Sequence, residues 1–196
     1  SSGKMGFAIA EVAAMFGANV TLIAGPTKLN PPSNVTYVPI ESANEMYREV
    51  LNYFTKQDII IMSAAVADFK PISNLKGKLK KESVGGRLKI ELEQTEDILL
   101  AIGKRKKANQ ILVGFALEET RYSNQNALKK LQQKNCDILV LNFLDKPNSG
   151  FQSDLNTIVI YKQARKGSLE VETLPPMSKL RCGLEILRSV IELKDK

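Results

Sequence analysis

The segment Asp58-Ile-Ile-Ile-Met-Ser-Ala-Ala-Val-Ala-Asp68-Phe-Lys-Pro71 runs from an apolar stretch straight into small residues and a carboxylate, and Lys76, Lys78, Lys80 and Lys81 follow within six residues. This order suits a polyphosphate. The β-branched run Ile59-Ile60-Ile61 reads as a strand covered on both faces, and Ser63, Ala64 and Ala65 leave its exit open enough for a ligand to touch backbone. Lysine ammonium groups then supply point charges for phosphate oxygens. On residue types alone, Asp68 serves equally as a turn cap and the lysine run as a solvated loop.

Histidine is absent from all 196 residues, which removes Ser/His/Asp and Cys/His triads, HExxH metal sites and imidazole acid–base catalysis together. Chemistry must rest on carboxylates, lysines, backbone amides or a borrowed metal ion. The formal charge of +7, from 28 basic against 21 acidic residues, suits small anionic substrates or nucleic acid. The lysine-rich segment 71–86 has no interleaved aromatic residue, which speaks against nucleic acid. Cys136 and Cys182 form no CxxC pair, so neither a disulfide framework nor a metal site is picked out, and a reducing, cytoplasmic setting is expected. The longest nearly apolar run, 59–67, falls short of the roughly 18 residues a membrane span needs, and no secretory signal is visible.

The elements that must position these residues follow from periodicity. Met5, Ile9, Val12 and Phe16 make a helical stripe that Gly17 stops. Strands are expected at 19–24, 36–38, 58–64, 87–92, 111–116 and 138–141, with an irregular flexible flap over 71–86. Ser42 caps a helix reaching about Thr55; Thr95 caps another with Glu96 and Asp97 in its first turn and 104–107 in its last; residues 124–134 form a third. Segments 157–162 and 168–173 read as a C-terminal antiparallel strand pair. Pro175, Pro176 and Ser178 open a last helix with Leu180, Leu184, Leu187 and Ile191 on one face. Apolar strands alternating with helices predict a single α/β domain over 1–196, with a doubly wound, mostly parallel Rossmann-like sheet. Its ligand crevice lies beyond the strand carboxyl ends, where residues 63–68, 115–119 and Asn142 stand.

The chain opens on Ser1-Ser2-Gly3-Lys4-Met5-Gly6 and enters a helix with no strand before it, so a first strand and its loop are expected upstream. Small residues at a helix N-terminus suit either plain capping or an anion site.

Taken together, SSGKMG, SAAVADFKP, the K-x-K-K flap, VGFALEET and SGFQSD closely resemble the phosphopantothenoylcysteine synthetase family, the bacterial CTP-dependent enzymes of coenzyme A biosynthesis. The resemblance spans the whole chain. It implies that Met62, Ser63, Ala64 and Asp68 form the nucleotide-binding strand end. Lys78 opens the flap over the triphosphate as the catalytic lysine, with Lys80 and Lys81 beside the substrate. Glu96, Asp97, Ile98, Leu99 and Phe115 line the cytidine site, and Lys130 and Lys134, four apart on one helix face, meet phosphate. Ser2, Gly3 and Ala65 fall on the substrate side, and Gly150-Phe151-Gln152 matches a further loop. The family also places an asparagine and an arginine shortly before the pair matching Ser1-Ser2.

The activity so implied is ligation of 4′-phosphopantothenate to cysteine through an acyl-cytidylate, with CTP and Mg2+ required, a homodimer, and a flavin-dependent decarboxylase fused or associated. The alternative with the same sheet is an NAD(P)-binding Rossmann-type oxidoreductase, which needs a complete glycine fingerprint where this chain has Ala24-Gly25-Pro26.

Overall fold

The computed structural model describes residues 2–72, 88–118, 124–143, 155–163 and 169–194. Helix α1 (Lys4–Met15) leads into the parallel pair β1 (Val20–Ala24) and β2 (Val35–Pro39), then α2 (Ala43–Phe54) and β3 (Ile59–Met62). β4 (Phe69–Pro71) and β5 (Leu92–Gln94) pair antiparallel and form an arm. Next come α3 (Ile98–Gly103), β6 (Ile111–Glu118), α4 (Asn124–Lys134) and β7 (Ile138–Phe143). The chain ends with β8 (Leu155–Asn156), β9 (Ile158–Gln163), β10 (Leu169–Thr173), β11 (Met177–Ser178) and α5 (Lys179–Lys194).

The central sheet has the order β10-β9-β7-β6-β3. β3, β6 and β7 run parallel, while β9 and β10 add the expected antiparallel pair. The sheet is therefore mixed, with helices on both faces. Alternate residues of the parallel strands feed two cores. One holds Ile60, Leu112, Leu139 and Leu141 under α2, α3 and α4. The other holds Val113, Ile138, Val140 and Ile160 under Ile9 of α1 and Cys182, Ile186 and Val190 of α5. This double burial is why β6 and β7 read as unbroken apolar runs.

Several expected details are corrected. The stripe of α1 does not extend to Phe16, which is 68% exposed beyond the helix end, and the buried face is Phe7, Ala8, Ile9, Ala10 and Val12. In α5, Leu180 and Ile191 are exposed, and the seam is Cys182, Gly183, Ile186, Ser189 and Val190. The reason is close approach: a Cβ on Gly183 would lie 3.3 Å from Ala8 O and Ile9 Cα, so small residues win where two helices touch. Thr95 does not cap α3. Asp97 does, accepting from Leu100 N at 2.9 Å, because Thr95 is already committed to the arm. The strand expected at 87–92 is displaced to Leu92–Gln94, and β4, β8 and β11 were not foreseen.

Polar links brace the edge of the sheet opposite the ligand-facing ends. Buried Gln110 donates to the carbonyls of Phe54 and Gln57, at 2.6 and 2.5 Å. Asp137 accepts from Leu112 N and from Lys106 Nζ, both at 2.6 Å, tying the starts of β6 and β7 together.

Candidate active site

The carboxyl end of β3 is where the neighbouring elements converge. Past Met62 the chain leaves the sheet as Ser63-Ala64-Ala65-Val66-Ala67, and these small residues line a hollow of about 330 Å³. Its other walls are Gly3 and Gly6 from α1, Ala24 to Thr27 after β1, and Ser42 and Met46 at the start of α2. Both glycines have a local reason. Gly3 is the N-cap with φ 75°, in the left-handed region, and a Cβ on Gly6 would lie only 2.9 Å from Ser63 Oγ. Thr27, just after the Gly25-Pro26 breaker, holds Ser2 by donating to its carbonyl at 3.4 Å and accepts from Leu29 N at 3.2 Å. The N-cap Gly3 makes no side-chain cap hydrogen bond to the first turn of α1.

At the opening of α2, Ser42 Oγ accepts from Glu45 N while donating to Glu45 Oε1, and Glu45 Oε2 accepts from Glu41 N at 2.9 Å. This reciprocal box fixes the helix start beside the hollow. The Glu41 amide, then the Ser42 hydroxyl, hold the Glu45 carboxyl below its usual range.

The far side of the β3 end is built by α3 and α4. Thr95 N donates to Asp68 O at 2.9 Å and Thr95 Oγ1 to Ala67 O at 2.5 Å, so the chain after the strand is clamped to the segment that starts α3. Asp97 pairs with Lys134 of α4. Burial works to raise the Asp97 pKa, but the bonds from Lys134 and Leu100 N, with Lys130 nearby, outweigh it and hold the carboxyl below its ordinary value. Ala67, Asp68, Thr95, Asp97 and Lys134 thus form one connected rim.

Backbone alternation sorts the expected residues between faces. Met62, Ile98 and Leu99 join the core under α2, α3 and α4, while Phe115 packs on the opposite core with Ile59 and Ile61. Ser63 meets α1 there as well. The structure therefore brings Met62, Asp97, Ile98, Leu99, Lys130 and Lys134 to one side, and Ser63, Gly3 and Phe115 to the other. Exposed Glu96 adjoins Asp97, and Ala64 and Ala65 lie at the divide. Lys78, Lys80, Lys81, residues 119 and 150–152, and most of the expected flap lie outside the described residues. Sequence reasoning missed Gly6, Thr27 and Thr95 as supports of the site; only Thr27, following a breaker pair at a strand end, carried a local signal. Cys136 and Cys182 are buried free thiols, pushed up to about 12 and about 11 chiefly by burial, so neither is a ready nucleophile.

The model for the DNA/pantothenate metabolism flavoprotein C-terminal domain matches residues 1–193. The chain belongs to this family. Within it, the chain is 42% identical over 98% of its length to the Coenzyme A biosynthesis bifunctional protein CoaBC of Bacillus subtilis (strain 168), covering 46% of that protein. It is 41% identical to a protein of an unknown prokaryotic organism named cysteine/cysteine sulfinic acid decarboxylase, covering 98% of the chain and 52% of that protein. The chain spans about half the length of the curated relatives it matches. Among solved structures, the C-terminal domain of a CoaBC protein superimposes with a TM-score of 0.79 at 39% identity, over all of this chain and 87% of that one. The α/β fold of the DNA/pantothenate metabolism flavoprotein C-terminal domain is thus the fold seen here.

Proposed function

We propose that this chain is the ligase part of a coenzyme A biosynthesis protein, joining 4′-phosphopantothenate to cysteine through an acyl-cytidylate with conversion of CTP to CMP and pyrophosphate. The observation carrying the reading is the end of β3, where small residues and backbone lie open between a lysine-bearing rim on one face and the start of α1 on the other. The names of the CoaBC relatives point the same way.

A site without histidine suits this reaction, since the substrate brings its own nucleophile. A carboxylate oxygen of the acid attacks the α-phosphorus, the new P–O bond forms, and pyrophosphate leaves with the electrons of the broken bond. The cysteine amine then attacks the acyl carbon; the C–N bond forms, CMP leaves with the acyl C–O pair, and the nitrogen loses a proton. The protein's task is positioning and charge stabilisation. In this reading Met62, Ser63, Ala64, Asp68, Glu96, Asp97, Ile98, Leu99 and Phe115 hold the nucleotide. Lys134 exchanges Asp97 for phosphate, Lys130 adds charge, and Lys78 serves as the catalytic lysine at the triphosphate. Among the described residues no three acidic side chains cluster to hold a metal. In this reading a magnesium ion would be carried largely by phosphate oxygens and water and, when bound, would neutralise polyphosphate charge.

Three further elements complete the proposal. A strand of the complete protein lies between β1 and β3: neither edge is paired there among the described residues, and a right-handed β–α1–β1 unit needs one. The arm carries the homodimer contact. Leu88, Ile90 and Leu92 alternate beside Phe69, all about half exposed or more, while Lys70 pairs with Glu93, so a two-stranded element with one apolar face requires cover, and a second copy supplies the same face by symmetry. A flavin-dependent decarboxylase is fused to or associated with this chain, and the setting is cytoplasmic. Among the described residues no helix is long and apolar enough to cross a membrane.

The test is thermal shift with CTP, NADP and an oligonucleotide, followed by assay of CMP and pyrophosphate release with 4′-phosphopantothenate and cysteine. Stabilisation by CTP and release dependent on the acid are expected; stabilisation by NADP alone overturns the reading.

A further inference from the structure

A chain of polar side chains crosses the buried region between α5 and the end of β7. Lys179, the first residue of α5, is 8% exposed and sits where the helix dipole disfavours a cation. Its Nζ donates to Asn156 Oδ1 in β8. Asn156, 2% exposed, donates through Nδ2 to Asn142 Oδ1 at 2.8 Å.

The ammonium fixes the direction of the whole chain. It has donors and no acceptor, so only the carbonyl end of Asn156 can face it. The Asn156 amide nitrogen must then face Asn142 and requires an acceptor, which turns the Asn142 carbonyl inward. What remains is the Asn142 Nδ2, half-buried at the end of β7 and without a partner among the described residues. Asn142 lies opposite Leu117 of β6, on the face that also bears Val140 and Phe115. This is the face on which α1 meets Ser63.

We infer that Lys179 and Asn156 are positioning residues that lock the Asn142 amide with its N–H donors outward, so that this corner accepts a hydrogen-bond acceptor of the acid substrate, such as a phosphate, carboxylate or carbonyl oxygen, and rejects a donor. The substrate part rests on the ligase reading; the lock does not.

The decisive variant is Asn156→Asp. A carboxylate in that place still accepts from Lys179 but cannot donate, so Asn142 turns round, giving Nδ2 to the new carboxylate and showing its carbonyl outward. In the intact protein, the Asn142 side-chain amide protons, followed by 15N NMR, exchange rapidly with solvent in the wild type and slowly in N156D. The KM for 4′-phosphopantothenate rises at least tenfold in N156D while the KM for CTP stays within twofold. Should N156D misfold, Lys179→Met supplies the second test, losing affinity for the acid, with Lys179→Arg restoring it. Unchanged Asn142 exchange in N156D, or in K179M if N156D does not fold, refutes the lock. A parallel rise of both KM values refutes the assignment to the acid. A wild type that neither binds nor converts the acid, with exchange still inverted in N156D, sinks the ligase reading and leaves the lock in place.

Discussion

Replacing Gly103 by alanine tests the packing that carries the rim of the site. Gly103 is the last residue of α3, and a Cβ there would stand 1.8 Å from Lys134 O, 2.9 Å from Lys134 C and 3.3 Å from Asn135 Cβ. Carbon and oxygen rest above about 3 Å, so the α3 and α4 ends must part by more than about 1 Å. The nearest obstacle is backbone, and no rotamer change relieves it. The Asn135 turn, at φ 49°, is itself held by Asn135 Nδ2 donating to Gly103 O at 2.7 Å. Alanine gains about 1 kcal/mol of helix propensity over glycine. Against that stand the lost bond, about 1 kcal/mol, and overpacking between buried Ile102 and Leu131, about 1–3 kcal/mol or more when the obstacle is main chain. We expect a net loss of about 1–3 kcal/mol in urea unfolding with an unchanged m-value, and a weakened Asp97–Lys134 pair. A G103A protein within about 0.5 kcal/mol of wild type would show that α3 and α4 do not approach as described.

Gly6→Ala meets a rotatable hydroxyl instead, so stability should fall by less than about 1 kcal/mol while displacement of Ser63 lowers kcat/KM at least tenfold; undiminished activity would remove Gly6 from the site. Lys134→Met tests the depressed Asp97 carboxyl. Its folded pKa lies below an unfolded value near ~3.9, so its stabilisation is present at neutral pH and lost as pH falls through the folded value. With Asp97 44% exposed, solvent screening leaves only about 0.5 kcal/mol, and the difference in Tm between K134M and wild type should close below about pH 4; a constant difference contradicts the pairing. Phe115→Ala should raise the KM for CTP more than that for the acid, because the resemblance puts Phe115 at the cytidine site, where it packs beside Ile59 and Ile61; the reverse order would remove it from that site. Leu92→Glu on the arm should shift light-scattering mass from dimer to monomer without loss of helicity; a monomeric wild type would refute the arm contact.

What was legible in the sequence divides by the range of the forces involved. α2 was readable to within a residue because a capping box marks its start locally, and α4 takes the bounds expected for it. α5 was readable as a helix but only partly in its face: Leu187 is buried as expected, while Leu180 and Ile191 are exposed and Cys182, Gly183 and Ser189 are buried where α1 approaches. Asp97 displaced Thr95 as the α3 cap because the Thr95 amide and hydroxyl were already taken by the carbonyls of Asp68 and Ala67. That contest is decided between segments 28 residues apart, and no window on the helix contains it.

The same division explains the site. A parallel strand that is buried on both sides announces its carboxyl end, and the small residues after Met62 announce an opening, so residues 62–68 stood out before any fold was known. Their allocation to two faces did not. Because side chains alternate along a strand, Met62 belongs to the core with Leu99, and Ser63 to the side of α1, although the two are neighbours in the chain. On the ligase reading, nucleotide and acid are expected to meet at the divide, where Ala64 and Ala65 line the hollow with main chain and almost no side chain. Bulk at those two positions is therefore expected to narrow the hollow directly.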